Sequence, residues 1–283
     1  MEEERFLSLL DEVYFSRRED AQKGDFGRLL LLGGSKIYPN ALLLAGKGAT
    51  CAGVGYLSFY ASPEVRALTK KRAPLTAIYL DDLDEDSLKP YDAILFGNGF
   101  LENEENEKTL SFLLKNLSSK QTLFIDATGI RLYKKLAKEH ACQLVLTPHL
   151  GEASFLLEEE TISRNPQDHL VPATSFCKKN NCYILLKGSK SLLITPKGGV
   201  KESASTPTPS LAKAGSGDVL AGYLSALTAV MGKMGNDLEE IILFGDILFH
   251  QVFEEAEKQE SQALLSAIDF PRLLKKYLRK RHP

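Results

Sequence analysis

The sequence lacks paired cysteines, long apolar segments and any large excess of charge. Four cysteines occur in 283 residues, and none of them belongs to a Cys-x-x-Cys motif or a cysteine–histidine zinc pattern. They lie in or beside apolar runs, which predicts buried free thiols in a reducing compartment. The cysteines are Cys51, Cys142, Cys177 and Cys182.

No apolar run reaches the ~18 residues that a membrane span needs, and residues 1–5 are acidic where a secretory signal is basic. We therefore expect a cytoplasmic protein without a membrane partner. The formal net charge of −2 and the isoelectric point near 6.3 offer no basic surface for nucleic acid. The one basic segment, residues 275–282, is interpreted as a solvated helix end.

Two phosphate-binding signatures are also missing. The sequence contains no Gly-x-x-x-x-Gly-Lys-Ser/Thr loop, and no Gly-x-Gly-x-x-Gly follows the first predicted strand, which argues against P-loop and Rossmann proteins. With 43% hydrophobic and 25% charged residues, the composition is that of an ordinary globular enzyme. We find no linker or internal repeat and predict a single domain over residues 1–283.

Short apolar runs alternate with longer helical patterns along most of the chain, which predicts a mostly parallel sheet with crossover helices. Several runs are apolar throughout, as expected for strands covered on both faces. The predicted fold is a three-layer α/β/α domain. The predicted strands are 29–32, 55–60, 77–80, 93–96, 122–125, 144–146, 183–186 and 192–194. The predicted helices are 40–52, 105–117, 130–140, 167–179, 218–231 and 238–258.

The most informative segment is the Gly-Ser-Gly-Asp turn at residues 215–218, which leads into an apolar helical run. Gly215 and Gly217 permit backbone conformations in which successive N–H groups converge on an anion at the positive end of a helix. Asp218 would repel a phosphate bound there, unless it accepts the proton of the group that attacks that phosphate. The alternative is that Asp218 only caps the helix.

Other segments follow predicted strands, where open parallel sheets bind ligands. Residues 97–99, Gly-Asn-Gly, either make room for a ligand or form a turn. Pro148 fixes a strand exit, so His149 should project from the sheet edge. Glu152 either favours a helix N-terminus or holds magnesium through water. Lys187 either meets a nucleotide phosphate or belongs to a plain hairpin.

Three further segments allow predictions about how the chain packs around a site. The first predicted strand runs into Gly33-Gly34, which indicates a tight approach of two backbones. The small residues that follow, between 41 and 53, either pack closely on the sheet or admit a large ligand. Residues 201–210, rich in Ser, Thr and Pro, are placed to form a loop over a site.

Taken in order, these segments resemble the ADP/ATP-dependent NAD(P)H-hydrate dehydratases of the ribokinase-like fold, over most of the chain. The Gly-Ser-Gly-Asp turn occurs in several ribokinase-like families, and its combination with Pro-His-x-Gly-Glu is much more specific. The segments that carry the resemblance are 23–27 with 33–35, 97–99, 147–152, 186–188 and 214–222.

The resemblance implies repair of a damaged cofactor. The S form of NADH or NADPH hydrated at C6 of the nicotinamide is phosphorylated by ADP or ATP and then loses phosphate. It implies Asp218 as the catalytic base and Gly215, Ser216 and Gly217 as the anion hole. It also implies a homo-oligomer, here without a fused epimerase domain.

The resemblance further implies three groups of contacts. The residues expected to contact the hydrate are Ala41, Gly99, His149 and Asp218. Those expected to hold the nucleotide are Lys187, Gly188, Ser189, Lys190, Ser191 and Gly217. Glu152 is expected to support Mg²⁺, through water.

The chain departs from the family pattern in three places. Thr128 ends a segment in which the family has a second acid, Asp126-Ala127-Thr128 instead of Asp-Ala-Asp. Lys213 precedes the anion turn, where it would contact phosphate or alter substrate fit. Residues 100–102, Phe-Leu-Glu, replace a glycine-rich stretch and would reshape the cofactor pocket. Two alternatives stay open: an ATP-dependent kinase of a hydroxymethylpyrimidine, hydroxyethylthiazole or pyridoxal type of alcohol, and a catalytically silent nucleotide-binding module.

Overall fold

One mixed sheet runs through the structure, a computed structural model that describes residues 1–74, 76–136, 139–159, 163, 165–188, 190–203 and 207–281. Within these residues the sheet has nine strands: β1 (Arg28–Leu32), β2 (Tyr56–Tyr60), β3 (Ala77–Tyr79), β4 (Ala93–Phe96), β5 (Thr122–Ile125), β6 (Gln143–Leu146), β7 (Cys182–Leu186), β8 (Leu192–Ile194) and β9 (Val200–Glu202). Their order is β3-β2-β1-β4-β5-β6-β7-β8-β9. Strands β1 to β7 are parallel, and β8 and β9 are each antiparallel to the strand before.

Helices cover both faces of the sheet. Those described are α1 (Glu3–Tyr14), α2 (Pro39–Cys51), α3 (Pro63–Thr69), α4 (Glu85–Leu88), α5 (Glu104–Asn116), α6 (Thr128–Leu136), α7 (Leu150–Leu157), α8 (Leu170–Asn180), α9 (Ser216–Lys233), α10 (Leu238–Glu257) and α11 (Phe270–Arg281). Helices α1, α2, α3, α9, α10 and α11 share one core with the sheet, and α4 to α8 share the other. The predicted three-layer α/β/α architecture is confirmed.

Strand β1 illustrates why these runs are apolar throughout. Leu29 and Leu31 belong to one core and Leu30 and Leu32 to the other, and all four side chains are buried. Successive side chains of a strand point to opposite faces, so a strand between two helical layers needs an apolar residue at every position. The interpretation of these runs as doubly covered strands is confirmed.

The small residues of α2 serve packing. A Cβ placed on Gly46 would lie 2.5 Å from the ring of Phe59 in β2, and one placed on Gly48 would lie 2.0 Å from the carbonyl oxygen of Val219 in α9. From the other side, a Cβ on Gly222 would lie 1.9 Å from the carbonyl oxygen of Ala45. The two helices therefore touch through their backbones, which fixes the N-terminal turn of α9 relative to the sheet.

The order of the strands creates a switch point between β1 and β4. The chain leaves β1 towards β2 on one side, while β4 and the later parallel strands lie on the other. At the carboxyl ends of these two strands, the N–H of Gly34 donates a hydrogen bond of 2.7 Å to the carbonyl oxygen of Asn98. The tight approach expected at Gly33-Gly34 is confirmed, and open sheets of this kind bind ligands at such a point.

Some predicted boundaries were wrong. The helix predicted over 130–140 is α6, which ends at Leu136; residues 137 and 138 lie outside the described residues, and His140 is not helical. The His140 ring instead contacts two carbonyl oxygens, of Cys142 at 2.9 Å and Asn180 at 3.0 Å, in the approach to β6. Such contacts at a strand entry compete with continuation of the helix.

Two further predictions need correction. The helix predicted over 167–179 begins as a 3₁₀ turn, Pro166–His169, because Asn165 caps it and Pro166 takes its first position. The predicted loop 201–210 begins inside β9 and ends in a 3₁₀ turn, Pro209–Leu211, while residues 204–206 lie outside the described residues. Strand β9 and helices α1, α3 and α4 were not predicted, and of α7 and α11 only one end was anticipated, near Glu152 and at residues 275–282.

The prediction of buried free thiols holds for three of the four cysteines. Cys142, Cys177 and Cys182 are buried, Cys51 is half-buried, and all four are free thiols. No helix within the described residues combines the length and the apolar character needed to cross a bilayer.

Candidate active site

A cavity of about 690 Å³ opens where strands β5, β6 and β7 end and helix α9 begins. Its wall is formed by strand ends, helix starts, the segment 207–218 and one turn of α10. The lining residues include Asp126, His149, Glu152, Lys187, Gly188, Ser191, Gly215, Ser216, Gly217, Asp218, Phe249 and His250. Most of the chemically active residues predicted from the sequence therefore meet in one place.

Asp218 lies in the first turn of α9, but it does not cap the helix. The N-cap residue is Gly215, whose φ of +93° lies in a backbone region that glycine adopts readily. No side chain forms a capping hydrogen bond there. Oδ1 of Asp218 instead accepts a hydrogen bond of 2.7 Å from Nδ2 of Asn98. The alternative that Asp218 only caps the helix is wrong. Burial raises the pKa of Asp218 to about 6, although the hydrogen bond from Asn98 lowers it.

Asp126 follows β5 and is 2% exposed. Its Oδ1 accepts hydrogen bonds from Oγ1 of Thr147 at 2.8 Å and from Nζ of Lys187 at 2.7 Å. Its Oδ2 accepts from Nδ2 of Asn98 at 2.8 Å. The next residue, Ala127, has a φ of +51°, which is unusual for a residue with a Cβ and often marks a functional turn. Asp126 and Asn98 were not predicted as site residues.

Lys187 brings a cation to the start of α9. A Cβ placed on Gly217 would lie 3.1 Å from Nζ of Lys187, so the ammonium group lies beside the anion turn. Burial lowers the pKa of Lys187, but Asp126, Glu152 and Asp218 outweigh burial, and the pKa is raised above its ordinary value. The charged ammonium therefore adds to the positive end of the helix dipole.

His149 and Glu152 form a reciprocal cap at the start of α7. Nδ1 of His149 accepts hydrogen bonds from the N–H groups of Gly151 at 3.0 Å and Glu152 at 3.3 Å, and Oε2 of Glu152 accepts from the N–H of His149 at 2.9 Å. An accepting Nδ1 carries no proton, so this geometry assigns the proton to Nε2. Burial raises the pKa of Glu152, and Lys187 opposes that rise. Both residues therefore stabilise a helix terminus and also line the cavity.

The residues predicted to bind the nucleotide between 187 and 191 do not all line the cavity. Gly188 and Ser191 line the cavity, and Oγ of Ser191 is buried without a hydrogen-bond partner in the described part of the chain. Oγ of Ser216 in the anion turn is buried in the same way. Lys190 is exposed, lies outside the lining and forms an ion pair of 3.8 Å with Glu202. Ser189 lies outside the described residues.

Ala41 and Gly99 contact each other away from this wall. A Cβ placed on Gly99, whose φ is +74°, would lie 2.7 Å from the Cβ of Ala41, and neither residue is among those that line the cavity. Asn98 links them to it, because it precedes Gly99 in the chain and its side chain reaches Asp218.

Lys213, one of the departures from the family pattern, is bound to backbone carbonyl groups. Nζ of Lys213 donates to the carbonyl oxygens of Gln262 at 3.1 Å, Ala263 at 2.8 Å and Leu265. Its three donors are thus in use, and Lys213 also lines the cavity, so a phosphate contact or an effect on substrate fit stays a prediction.

The segment 100–102 lies outside the lining of this cavity. Phe100 is 9% exposed and packs against Phe96 with ring centroids 5.0 Å apart. Glu102 pairs with Arg131 and, at 3.4 Å, with Lys135. None of the three residues lines that cavity, but neither do Ala41 and Gly99, so an effect of this segment on the cofactor pocket stays a prediction.

A polar network in α10 was missed. Asp246 is fully buried, and its Oδ2 accepts a hydrogen bond of 2.6 Å from Oγ of Ser203. Nε2 of His250, one turn later, lies 3.8 Å from Oδ1 of Asp246, and its Nδ1 lies 3.0 Å from Oγ1 of Thr208. A carboxylate and an imidazole four residues apart in an apolar helix were the available signal. The network ties the residues at both ends of segment 203–208 to α10.

Known proteins resemble this chain over most of its length. Residues 29–251 match the family described as NAD(P)H-hydrate dehydratase. The chain is also 31% identical, over 80% of its own length and 80% of the relative's, to the ADP-dependent (S)-NAD(P)H-hydrate dehydratase of Staphylococcus aureus (strain NCTC 8325 / PS 47). The chain belongs to the NAD(P)H-hydrate dehydratase family. The resemblance noted in the sequence is confirmed.

Solved structures share the fold of this dehydratase. A ribokinase-like superfamily protein from Enterococcus faecalis V583 has a TM-score of 0.80 and 22% identity, over 96% of this chain and 94% of that one. The ADP/ATP-dependent NAD(P)H-hydrate dehydratase from Bacillus subtilis, co-crystallized with ATP/Mg²⁺, has a TM-score of 0.80 and 24% identity, over 96% of both chains. The fold is therefore ribokinase-like. The chain spans about half the length of the bifunctional NAD(P)H-hydrate repair enzymes that it also matches.

Proposed function

We propose that this dehydratase family member converts the S form of NADH or NADPH hydrate into NADH or NADPH, with ADP or ATP as phosphoryl donor. One observation carries the proposal: the half-buried carboxylate of Asp218 lies at the N-terminus of α9, next to the ammonium group of Lys187. A base and an anion site thus lie side by side in one cavity. The Staphylococcus aureus relative is an ADP-dependent (S)-NAD(P)H-hydrate dehydratase, which supports this choice of substrate.

In the first step the hydroxyl oxygen at C6 of the hydrated nicotinamide forms a bond to the terminal phosphorus of the nucleotide. Asp218 accepts the hydroxyl proton, for which its pKa of about 6 is suited near neutral pH. The bond from that phosphorus to the bridging oxygen breaks, and AMP leaves from ADP or ADP from ATP. The N–H groups of residues 215–217 and the ammonium group of Lys187 stabilise the charge on the transferred group.

In the second step the C6–O bond breaks and phosphate leaves. A proton is lost from the adjacent C5, which creates the C5–C6 double bond of the dihydronicotinamide. The anion turn and Lys187 favour this step because they hold the departing phosphate in its ionised form.

The two substrates would occupy opposite sides of Asp218. We assign the nucleotide to Lys187, Gly188, Ser191 and Gly217, a choice supported by their common position at one cavity wall. Ser189 and Lys190 stay predictions for the same role. We assign the hydrate to Ala41, Gly99, His149 and Asp218, on the resemblance to the family and on the contact between Ala41 and Gly99.

Magnesium fits the donor chemistry of the cavity. Glu152 supplies a carboxylate to the wall, while the carboxylate of Asp126 is already paired with Lys187. No cluster of three or more potential ligands occurs among the described residues, and Mg²⁺ typically keeps several waters and uses one or two carboxylates. Glu152 would hold Mg²⁺ through water, and the ion would neutralise charge on the nucleotide phosphates. A single domain, a homo-oligomer and a cytoplasmic location stay predictions.

The test is an assay in which purified protein, Mg²⁺ and NADH hydrate are mixed with ADP, with ATP or with no nucleotide. The near-ultraviolet absorbance of reduced nicotinamide should rise only with nucleotide, and phosphate and AMP or ADP should form in equal amounts. Binding of ADP without any absorbance change would contradict the proposal. Phosphorylation of a vitamin-precursor alcohol to a stable product would then identify a kinase, and the absence of both reactions a silent nucleotide-binding module.

A further inference from the structure

Asn98 lies at the centre of the site and is held there through its backbone. It is 1% exposed and stands between two glycines with positive φ, Gly97 at +122° and Gly99 at +74°. A Cβ placed on Gly97 would lie 2.1 Å from the carbonyl oxygen of Asp126. On the other side, the carbonyl oxygen of Asn98 accepts the N–H of Gly34 at 2.7 Å. The peptide that carries Asn98 therefore has little freedom to move.

The side chain of Asn98 bridges two carboxylates. Nδ2 donates one hydrogen to Oδ2 of Asp126 at 2.8 Å and the other to Oδ1 of Asp218 at 2.7 Å. A rotation of the amide by half a turn would bring its oxygen against both carboxylates, which would repel it. The two hydrogen bonds therefore define the orientation of the amide.

The other end of this amide has no partner. Oδ1 of Asn98 is buried and accepts no hydrogen bond from any residue that the structure describes. A buried carbonyl oxygen without a donor is unfavourable, and an apolar side chain of similar shape would avoid it. The two hydrogen bonds to carboxylates are thus what this side chain contributes, and they are of the strong, charge-assisted kind.

Within the described residues, Asn98 donates a hydrogen bond to Asp218, and three charged groups influence the pKa of Asp218. Asp126 after β5 and Glu152 of α7 raise its pKa, Lys187 after β7 lowers it, and Asn98 lowers it through the hydrogen bond. Oδ2 of Asp218 accepts no hydrogen bond from the described residues, whereas Oδ1 is held by Asn98.

We propose that Asn98 is a positioning residue of the reaction, which holds Oδ1 of Asp218 so that Oδ2 faces the cavity and accepts the substrate proton. This role rests on the proposed function, because it assumes Asp218 to be the base. Asn98 itself need not touch either substrate. Its loss should free the carboxylate to rotate, remove a hydrogen bond that favours the ionised form, and shift deprotonation of Asp218 to higher pH.

The experiment compares Asn98→Leu with wild type in the pH dependence of kcat/KM. The acid limb should move up by about one pH unit, which is about a tenfold loss of kcat/KM below the limb. Asn98→Asp keeps the shape, removes the amide donors and adds a carboxyl group; its acid limb should move at least as far. The ¹³C signal of the Asp218 carboxyl group, titrated by NMR, should show the same shift without turnover.

Gln121→Met is the matched control. Gln121 is a buried amide at the other end of the sheet, and its Nε2 also donates two hydrogen bonds, of 2.9 Å each, to the carbonyl oxygens of Leu88 and Tyr91. Its replacement should lower stability and leave the acid limb in place. If both Asn98 variants fold and their limbs coincide with wild type, the inference is overturned. Without wild-type turnover the proposed function fails, whereas the NMR titration still decides whether Asn98 holds the carboxylate.

Discussion

Nζ of Lys187 lies 2.7 Å from Oδ1 of Asp126, although the two residues follow strands separated by β6. They meet because β5, β6 and β7 run parallel and end at the same edge of the sheet. Asp126 is 2% exposed and the Lys187 side chain 16%, so the pair is largely withdrawn from water. It orients the ammonium group towards Gly217.

Lys187→Met should lower both stability and nucleotide affinity. Breaking a buried ion pair typically costs about 3–5 kcal/mol, and here the bonds from Thr147 and Asn98 to Asp126 should keep the loss near the lower figure. Nucleotide binding should weaken at least about tenfold. Urea unfolding and nucleotide titration measure the two effects.

The matched control is Lys233→Met. Lys233 forms a pair of 2.8 Å with Asp92, but its side chain is 46% exposed, so its removal should cost about 0–1 kcal/mol and leave nucleotide binding unchanged. Equal effects of the two substitutions would argue against a special role for Lys187.

Asp218→Asn should stabilise the protein above neutral pH. Burial raises the pKa of Asp218 from 3.8 to about 6, so the folded state holds this proton more tightly than the unfolded state. The stability that this group contributes is present below about pH 4 and is lost as the pH rises to about 6. At pH 8 the neutral amide should increase the free energy of unfolding by up to about 3 kcal/mol.

Urea unfolding of both proteins at pH 4, 6 and 8 measures this gain. The difference between them should grow between pH 4 and 6 and stay constant above pH 7. If Asp218→Asn were less stable than wild type at pH 8, burial would not be destabilising the ionised carboxylate of Asp218.

The strands could be predicted almost completely from the sequence. The eight predicted strands lie within one residue of those observed, because most of them are short, largely apolar runs. Strand β9 was missed because its residues, Val-Lys-Glu, are all exposed at the sheet edge and carry no apolar signal. Asp218, Lys187 and His149 were found because each adjoins a glycine or proline motif at an element end.

The contacts of the site could not be predicted. The bridge from Asn98 to Asp126 and Asp218 depends on how three separate elements align, and nothing near Asn98 in the sequence encodes its partners. Lys213 resembled a phosphate ligand from its position, but its partners are carbonyl groups that begin at Gln262, about fifty residues later. Local pattern indicates which residues carry chemistry, and packing decides which of them meet.

Gly217→Ala and Gly232→Ala should differ in their effect on activity, although both glycines belong to α9. A Cβ on Gly217 would lie 3.1 Å from Nζ of Lys187, so the methyl group should displace the ammonium group and lower kcat/KM about tenfold or more. A Cβ on Gly232 meets nothing within 4 Å, so this variant should gain about 0.5–1 kcal/mol of stability at unchanged activity. Steady-state kinetics and thermal unfolding test both; equal activity of the two variants would contradict the assigned anion turn.

In the proposed reaction, Asp218 removes the proton from the hydroxyl group that is phosphorylated. The most direct measurement is the rate of absorbance increase with NADH hydrate, Mg²⁺ and the preferred nucleotide, for wild type and Asp218→Asn, with nucleotide affinity measured for both. We expect a loss of about 10²–10⁴-fold in turnover, with nucleotide affinity within a few-fold of wild type. Turnover near the wild-type rate in Asp218→Asn would contradict it.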